Sequence, residues 1–307
     1  MEKRKIGSLE VSVVGLGCNN FGWRINASTT GKVVRAALDA GVNFFDTADR
    51  YATGQSEEFL GRAVRGRRAE VLLATKFGME MEVPEERGAS PAYVRTAIEA
   101  SLRRLGTDYI DLYQLHQPDP DTPIADTLGA LDALVQAGKV REIGCSNFSV
   151  AQLREAEEAA KGGTRFVSVQ NQFSLFEREA ETDVLPECER TGLAFLPFFP
   201  LANGLLTGKY RQGQKAPKGS RAREDWGPKV FTEENLATVE KLIAFCETRG
   251  HTILELAFGW LLAHRPVASV IAGASKPEQV RANATAAGWQ LSAEDLSEID
   301  RIIPPHS

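Results

Sequence analysis

Beyond its first dozen residues the chain repeats two hydrophobic rhythms. Short apolar runs, read as strands at 14–17, 43–46, 71–76, 109–116, 142–146, 167–170, 194–198 and 267–271, alternate with longer stretches at helical spacing. Those stretches lie near 30–40, 55–65, 91–104, 123–137, 150–160, 180–191 and 233–249, and two more, near 277–287 and 293–303, follow the last run. Ahead of them, 4–6 and 11–14 alternate around Gly7-Ser8 and predict a β-hairpin. Start signals support several helices. Ser90-Pro91 sets a cap before a first-turn proline, and Ser275-Lys276-Pro277-Glu278 and Ser292-Ala293-Glu294-Asp295 each read as a capping box.

Eight strand-and-helix units with no Gly/Ser-rich or Pro-rich linker predict one α/β domain over 1–307, a closed (β/α)8 TIM barrel with an N-terminal hairpin and an extra C-terminal helix. The 307 residues fit two domains of about 150 or one barrel of about 250 with additions, so length does not choose. The one long aperiodic segment, 211–229, follows the seventh strand and is expected on the barrel's catalytic side as a lid, a binding loop or a disordered stretch.

Composition narrows the partners. With 36 Lys+Arg against 41 Asp+Glu the net charge is −5, which argues against a nucleic-acid partner. No apolar stretch is long enough to span a bilayer, and Met1-Glu2-Lys3-Arg4-Lys5 leads into a strand with no apolar leader, so no membrane partner and a cytoplasmic location are expected. Cys18, Cys145, Cys188 and Cys246 are scattered, which predicts reduced thiols and neither a metal site nor a disulfide.

In such a barrel the active site gathers at the C-terminal ends of the strands. Polar residues close the apolar runs there: Asp46, Lys76, His116, Asn147 and Gln170, with Tyr51 in the loop after Asp46. Singly, each has an ordinary structural role; together they converge on one mouth. A phenol is a poor acid at neutral pH, and a neighbouring ammonium lowers its pKa. Lys76 would supply that charge, Asp46 would hold it, and His116 would aim a carbonyl or share the proton.

Gly41-Val42-Asn43-Phe44-Phe45-Asp46-Thr47-Ala48, Tyr51, Glu57-Glu58-Phe59-Leu60-Gly61, Ala74-Thr75-Lys76 and Asp111-Leu112-Tyr113-Gln114-Leu115-His116 together closely resemble the aldo-keto reductase superfamily, from Gly15-Leu16-Gly17 to Asn283. The resemblance implies a barrel that binds NADPH, with NADH as the alternative, and a catalytic tetrad of Asp46, Tyr51, Lys76 and His116. It also implies cofactor contacts from Gly17, Cys18, Asn19 and Asp46. Ser146, Asn147 and Gln170 match the carboxamide-binding positions, and Phe198 the ring that stacks on the nicotinamide. The stretch from Pro200 and Leu201 through Gly204 to Lys209 matches the pyrophosphate loop, with Arg221 folding over the phosphates. Gly273, Ser275, Lys276, Gln279 and Asn283 match the adenosine end. Phe199 stands where the family usually has Ser, and Gly273 and Gln279 where many members have Lys and Arg; the tail is closer to the subgroup of potassium-channel β-subunits and bacterial relatives.

The function expected is reversible hydride transfer to a small aldehyde or ketone by a monomer or homo-oligomer. Two rivals stand beside it: a cofactor-bound regulatory or interaction subunit, and a lyase using Lys76 as a Schiff-base nucleophile. Gly15-x-Gly17 lacks the third glycine of a dinucleotide fingerprint. Trp23 reads as either a substrate-pocket wall or packing, and Lys215, Lys218 and Arg223 as solvated surface.

Overall fold

The computed structural model describes residues 1–81, 87–160, 162–217, 220–224 and 227–305. Strands β1 (Lys3–Ile6) and β2 (Leu9–Ser12) form the hairpin, turning at Gly7 with φ of 54°. Eight parallel strands follow: β3 (Val14–Gly17), β4 (Phe44–Asp46), β5 (Leu72–Phe77), β6 (Ile110–Leu115), β7 (Val140–Ser146), β8 (Ser168–Gln172), β9 (Ala194–Phe198) and β10 (Val270–Gly273). They run in chain order, with β10 laid beside β3 in the register Val270↔Val14 to Gly273↔Gly17. Closure between β9 and β10 comes from Phe195 and Val267: Phe195 N–H donates to Pro266 O (2.8 Å) and Ala268 N–H to Phe195 O (3.0 Å). The strand expected at 267–271 is thus divided between this clasp and the ladder to β3.

Two apolar layers hold the barrel. Inside it, Phe44, Ala74, Leu112, Leu196 and Ile271 meet Ile6, Leu9 and Val11, so the hairpin plugs the end opposite the strand C-termini. Outside, a larger layer packs the strands under the helices. Strands buried on both faces read as unbroken apolar runs, which is why the sequence shows them plainly.

The helices are α1 (Ala27–Asp39), α2 (Gln55–Ala63), α3 (Pro91–Leu105), α4 (Ile124–Gln136), α5 (Val150–Ala160), α6 (Val184–Thr191), α7 (Gly227–Val230), α8 (Glu233–Glu247), α9 (Ile253–Ala263), α10 (Pro277–Ala286) and α11 (Ala293–Ile302). Ser90 caps α3 through Tyr93 N–H, and Ser292 with Asp295 caps α11. The sequence pattern missed α9. Its run Ile-Leu-Glu-Leu-Ala-Phe-Gly-Trp-Leu-Leu-Ala is apolar nearly all round, so no 3.6-residue stripe marks it; Thr252 and Glu255 cap it, and Leu256, Phe258, Trp260 and Leu261 are buried. Helix α6 begins at Val184, after a 3₁₀ turn at Glu179–Glu181, later than the periodicity implied. Within 211–229 the described residues include a 3₁₀ turn at Arg221–Arg223 and the start of α7. Lys218 lies outside the described residues, as does the side chain of Arg221.

Candidate active site

A cleft of about 610 Å³ opens at the C-terminal ends of the strands. Asp46 ends β4, Lys76 lies near the end of β5, His116 follows β6, and Ser146 ends β7 in register with Gln170 of β8. Beneath the cleft floor Lys76 Nζ donates to Asp46 Oδ2 (2.6 Å) and to Thr47 O (2.9 Å). Gln114 Nε2 and Gln170 Nε2 both donate to Asp46 Oδ1, at 3.1 and 3.0 Å. Lys76 is fully buried and Asp46 nearly so, so the pair is fixed by hydrogen bonds to both partners, as a buried ion pair must be.

Tyr51 is placed by a strained turn. Ala52, Thr53 and Gly54 take φ of 49°, 52° and 84°, a left-handed run that non-glycine residues rarely adopt. It leaves the phenol ring 5.3 Å from Lys76 Nζ and edge-on to the His116 ring at 5.9 Å between centroids. Burial pushes the Tyr51 phenol above its ordinary pKa, with Lys76 working against that rise. The expectation of a net depressed phenol is therefore corrected: the ammonium acts in the expected direction, but desolvation is larger. Burial alone would lower Lys76, yet Asp46 and Tyr51 raise it, so the ammonium stays charged. His116 is held well below the usual imidazole range by burial and then by the positive charges of Lys76 and Arg50, and its buried Nδ1 has no hydrogen-bond partner among the described residues. The site thus presents a neutral phenol, a charged ammonium and a neutral imidazole.

The cleft brings together nearly every residue expected of it: Gly17, Cys18, Asn19, Asp46, Tyr51, His116, Ser146, Asn147, Gln170, Phe198, Pro200, Leu201, Gly204, Lys209, Gly273, Ser275, Lys276 and Gln279 all line it. Lys76 lies below the floor. Asn283 is buried on α10 and does not line the cleft. Asn147 sits at φ of 61°, and its Nδ2 donates to His116 O (2.9 Å) and Ser146 Oγ (3.1 Å). Ser146 Oγ donates in turn to Gln170 O (2.7 Å). The cap expected at Ser275 is different in kind: Lys276 is the N-cap, and Gln279 Oε1 reaches back to accept from Ser275 N–H (2.8 Å) and Lys276 N–H (3.1 Å).

Sequence reasoning gave no role to Gln114, Asn20, Arg24 or Met79. Gln114 was findable, because strand side chains alternate and Leu112, two residues earlier, points into the barrel. Asn20, Arg24 and Met79 line the cleft from irregular loops, where no periodicity points to them. Arg24 forms an ion pair with Glu224, tying the loop after β3 to the segment before α7, and its guanidinium lies 4.3 Å over the Trp23 ring.

The lining suits an anionic nucleotide. Asn20 is 4% exposed, and its Oδ1 has no hydrogen-bond partner among the described residues. A Cβ on Gly273 would sit 3.2 Å from both Asn19 Oδ1 and Asn20 Nδ2, so glycine there keeps the wall open. Asp46 is the one acidic residue among the described lining residues and is already paired, whereas Lys209 and Lys276 make no ion pair among the described residues.

The aldo/keto reductase family model matches residues 13–304. The chain is 37% identical over 306 positions to the aldo-keto reductase YhdN of Bacillus subtilis, spanning 96% of this chain and 91% of that protein. It is 33% identical over 313 positions to the L-glyceraldehyde 3-phosphate reductase of Escherichia coli O157:H7, spanning 96% and 90%. The glycerol dehydrogenase AKR11B4 of Gluconobacter oxydans superposes with a TM-score of 0.87 at 33% identity, over 100% of this chain and 97% of that one. Fold, strand-end site and sequence agree, and the chain belongs to the aldo/keto reductase family of oxidoreductases.

Proposed function

We propose that this chain is an NADPH-dependent reductase of small aldehydes and ketones, acting reversibly. The observation that carries the reading is the buried Asp46–Lys76 pair set against Tyr51 and a neutral His116 in one cleft. When bound, the reduced nicotinamide supplies the hydride that reaches the carbonyl carbon. Tyr51 holds the proton at Oη and delivers it to the carbonyl oxygen. Lys76, kept charged by Asp46, stabilises the phenolate left behind until solvent returns the proton. His116 is neutral and orients the carbonyl oxygen by a hydrogen bond without losing its own proton.

Ser146, Asn147, Gln170 and Phe198 are the residues proposed to hold the nicotinamide end. The Pro200-to-Lys209 stretch takes the pyrophosphate, and Ser275 and Lys276 take the adenosine end. Lys276, which makes no ion pair among the described residues, and the absence of acidic residues among the described lining at that end favour a 2′-phosphate, hence NADPH over NADH. The relatives named for glyceraldehyde phosphate and glycerol chemistry support a short-chain carbonyl or alcohol substrate. No helix among the described residues is long and apolar enough to cross a membrane.

The complete tetrad favours an enzyme over a regulatory subunit with slow incidental redox chemistry. A Schiff-base lyase is opposed by Lys76 itself, whose Nζ is protonated, buried and hydrogen-bonded to Asp46. The test is a panel of aldehydes and ketones with NADPH and NADH, followed by absorbance of the reduced cofactor. Turnover with NADPH supports the reading; cofactor binding without turnover across the panel would favour the regulatory subunit.

A further inference from the structure

One cation beside the cleft, against its lining residue Met79, has no task in the chemistry above. Arg50 precedes Tyr51 on the loop after β4 and is exposed. Its guanidinium Nη1 lies 3.4 Å from Met79 Sδ, and among the described residues it pairs with no carboxylate, although Glu80 follows Met79 directly. Met79 and His116 both wall the cleft. The positive charge of Arg50 is felt by the His116 imidazole, in line with its placement beside Met79, which shares the cleft wall with His116. By contrast Arg24, which does line the cleft, is tied to Glu224.

Strand order separates Arg50 from the cations proposed for the cofactor. Arg50, Met79 and His116 follow the consecutive strands β4, β5 and β6, whereas Lys209 and Lys276 follow β9 and β10, with β3 between β10 and β4. Arg50 is thus grouped with Met79 and His116 rather than with the cations proposed for the cofactor. Phe199, 39% exposed, lines the cleft as an apolar wall, and Trp23 stands 62% exposed on the loop after β3. A guanidinium offers a planar fork of donors that matches carboxylate or phosphate oxygens, and among the described residues its side-chain contact is with a thioether.

We propose that Arg50 is a specificity residue that receives an anionic group of the substrate, so that the site takes an aldehyde or ketone carrying a carboxylate or phosphate a few bonds from its carbonyl in preference to a neutral one. The inference rests on the carbonyl-reductase reading. The full-length protein with its nicotinamide cofactor is assayed on matched pairs: glyceraldehyde with glyceraldehyde 3-phosphate, and butanal with succinic semialdehyde. Wild type should favour the anionic member of at least one pair by about tenfold or more in kcat/KM, and which pair responds separates phosphate from carboxylate recognition. Arg50→Gln should reduce kcat/KM for that anionic member about tenfold more than for its neutral partner, chiefly through KM, with Arg50→Lys intermediate. Equal use of both members by wild type, or an equal loss on both in Arg50→Gln, would overturn the inference and leave the reductase reading standing. Failure to reduce any of the four carbonyls, or the wider panel, with either cofactor would remove that reading and this inference with it.

Discussion

Asp49 lies between Asp46 and Tyr51, is 2% exposed, and has its carboxyl pushed up to about 7, by burial first and then by the nearby Glu57 charge. Its Oδ1 accepts from Arg50 N–H (2.6 Å), and its own N–H donates to Lys76 O (3.1 Å), so an amide oxygen of the same shape can keep the first contact. Because the folded-state value lies above the ordinary carboxyl value of 3.8, the folded chain binds more protons between the two, and stability falls as pH rises through that window. At about 1.36 kcal/mol per unit, ionising Asp49 in place costs about 4 kcal/mol once the pH exceeds both values, and about 1.5 kcal/mol at pH near 5. An uncharged amide in its place would carry neither penalty. Asp49→Asn should therefore gain on wild type by about 2 to 3 kcal/mol between about pH 5 and about pH 8.5, an increase in relative Tm of several degrees. Paired thermal melts of the two proteins at both pH values make the measurement. A Tm difference that stays constant across the range would refute the argument that burial dominates this carboxyl.

Lys76→Met should be nearly inactive and should move the alkaline limb of the pH–rate profile upward in any residual activity, because the charge opposing the rise of the Tyr51 phenol is gone; an unmoved limb would disconnect Lys76 from the phenol. Glu224→Gln, which weakens the tie to Arg24, should speed release of bound NADPH in stopped-flow displacement more than it changes the chemical step, and identical release rates would make that ion pair incidental. NADPH should be preferred over NADH by about tenfold, and Lys276→Ala should weaken NADPH selectively in fluorescence titrations. The ratio is bounded because Gln279 already accepts from the Ser275 and Lys276 N–H groups and must yield them to a phosphate, so equal affinities for the two cofactors would count against the Lys276 contact.

The barrel was legible because its signal is repetitive: strands β3 and β9 fall where their apolar runs predict, and capping residues mark α3 and α11. What escaped lacks a period. Helix α9 is buried on nearly all sides, and the closing strand splits into a clasp at Val267 and a ladder at Val270. In the site, strand-end residues were readable as polar stops after apolar runs, and the family resemblance assigned the tetrad roles. Quantity was not readable. That burial outweighs Lys76 at Tyr51, that Gln170 and Gln114 hold Asp46, and that Gln279 satisfies the α10 N-terminus all depend on distances between residues that the linear pattern does not encode. The same holds for Arg24 and Met79, whose loops carry no pattern that aims them at a cleft.

The central claim is that Tyr51 gives the proton to the carbonyl oxygen. Tyr51→Phe removes one hydroxyl while keeping the ring against Lys76 and His116. With a substrate that wild type reduces, the account predicts a loss of about 10² to 10⁴-fold in kcat, while NADPH affinity by fluorescence titration stays within about twofold. A variant that keeps more than about a tenth of the wild-type kcat, measured under the same saturating conditions, would contradict it.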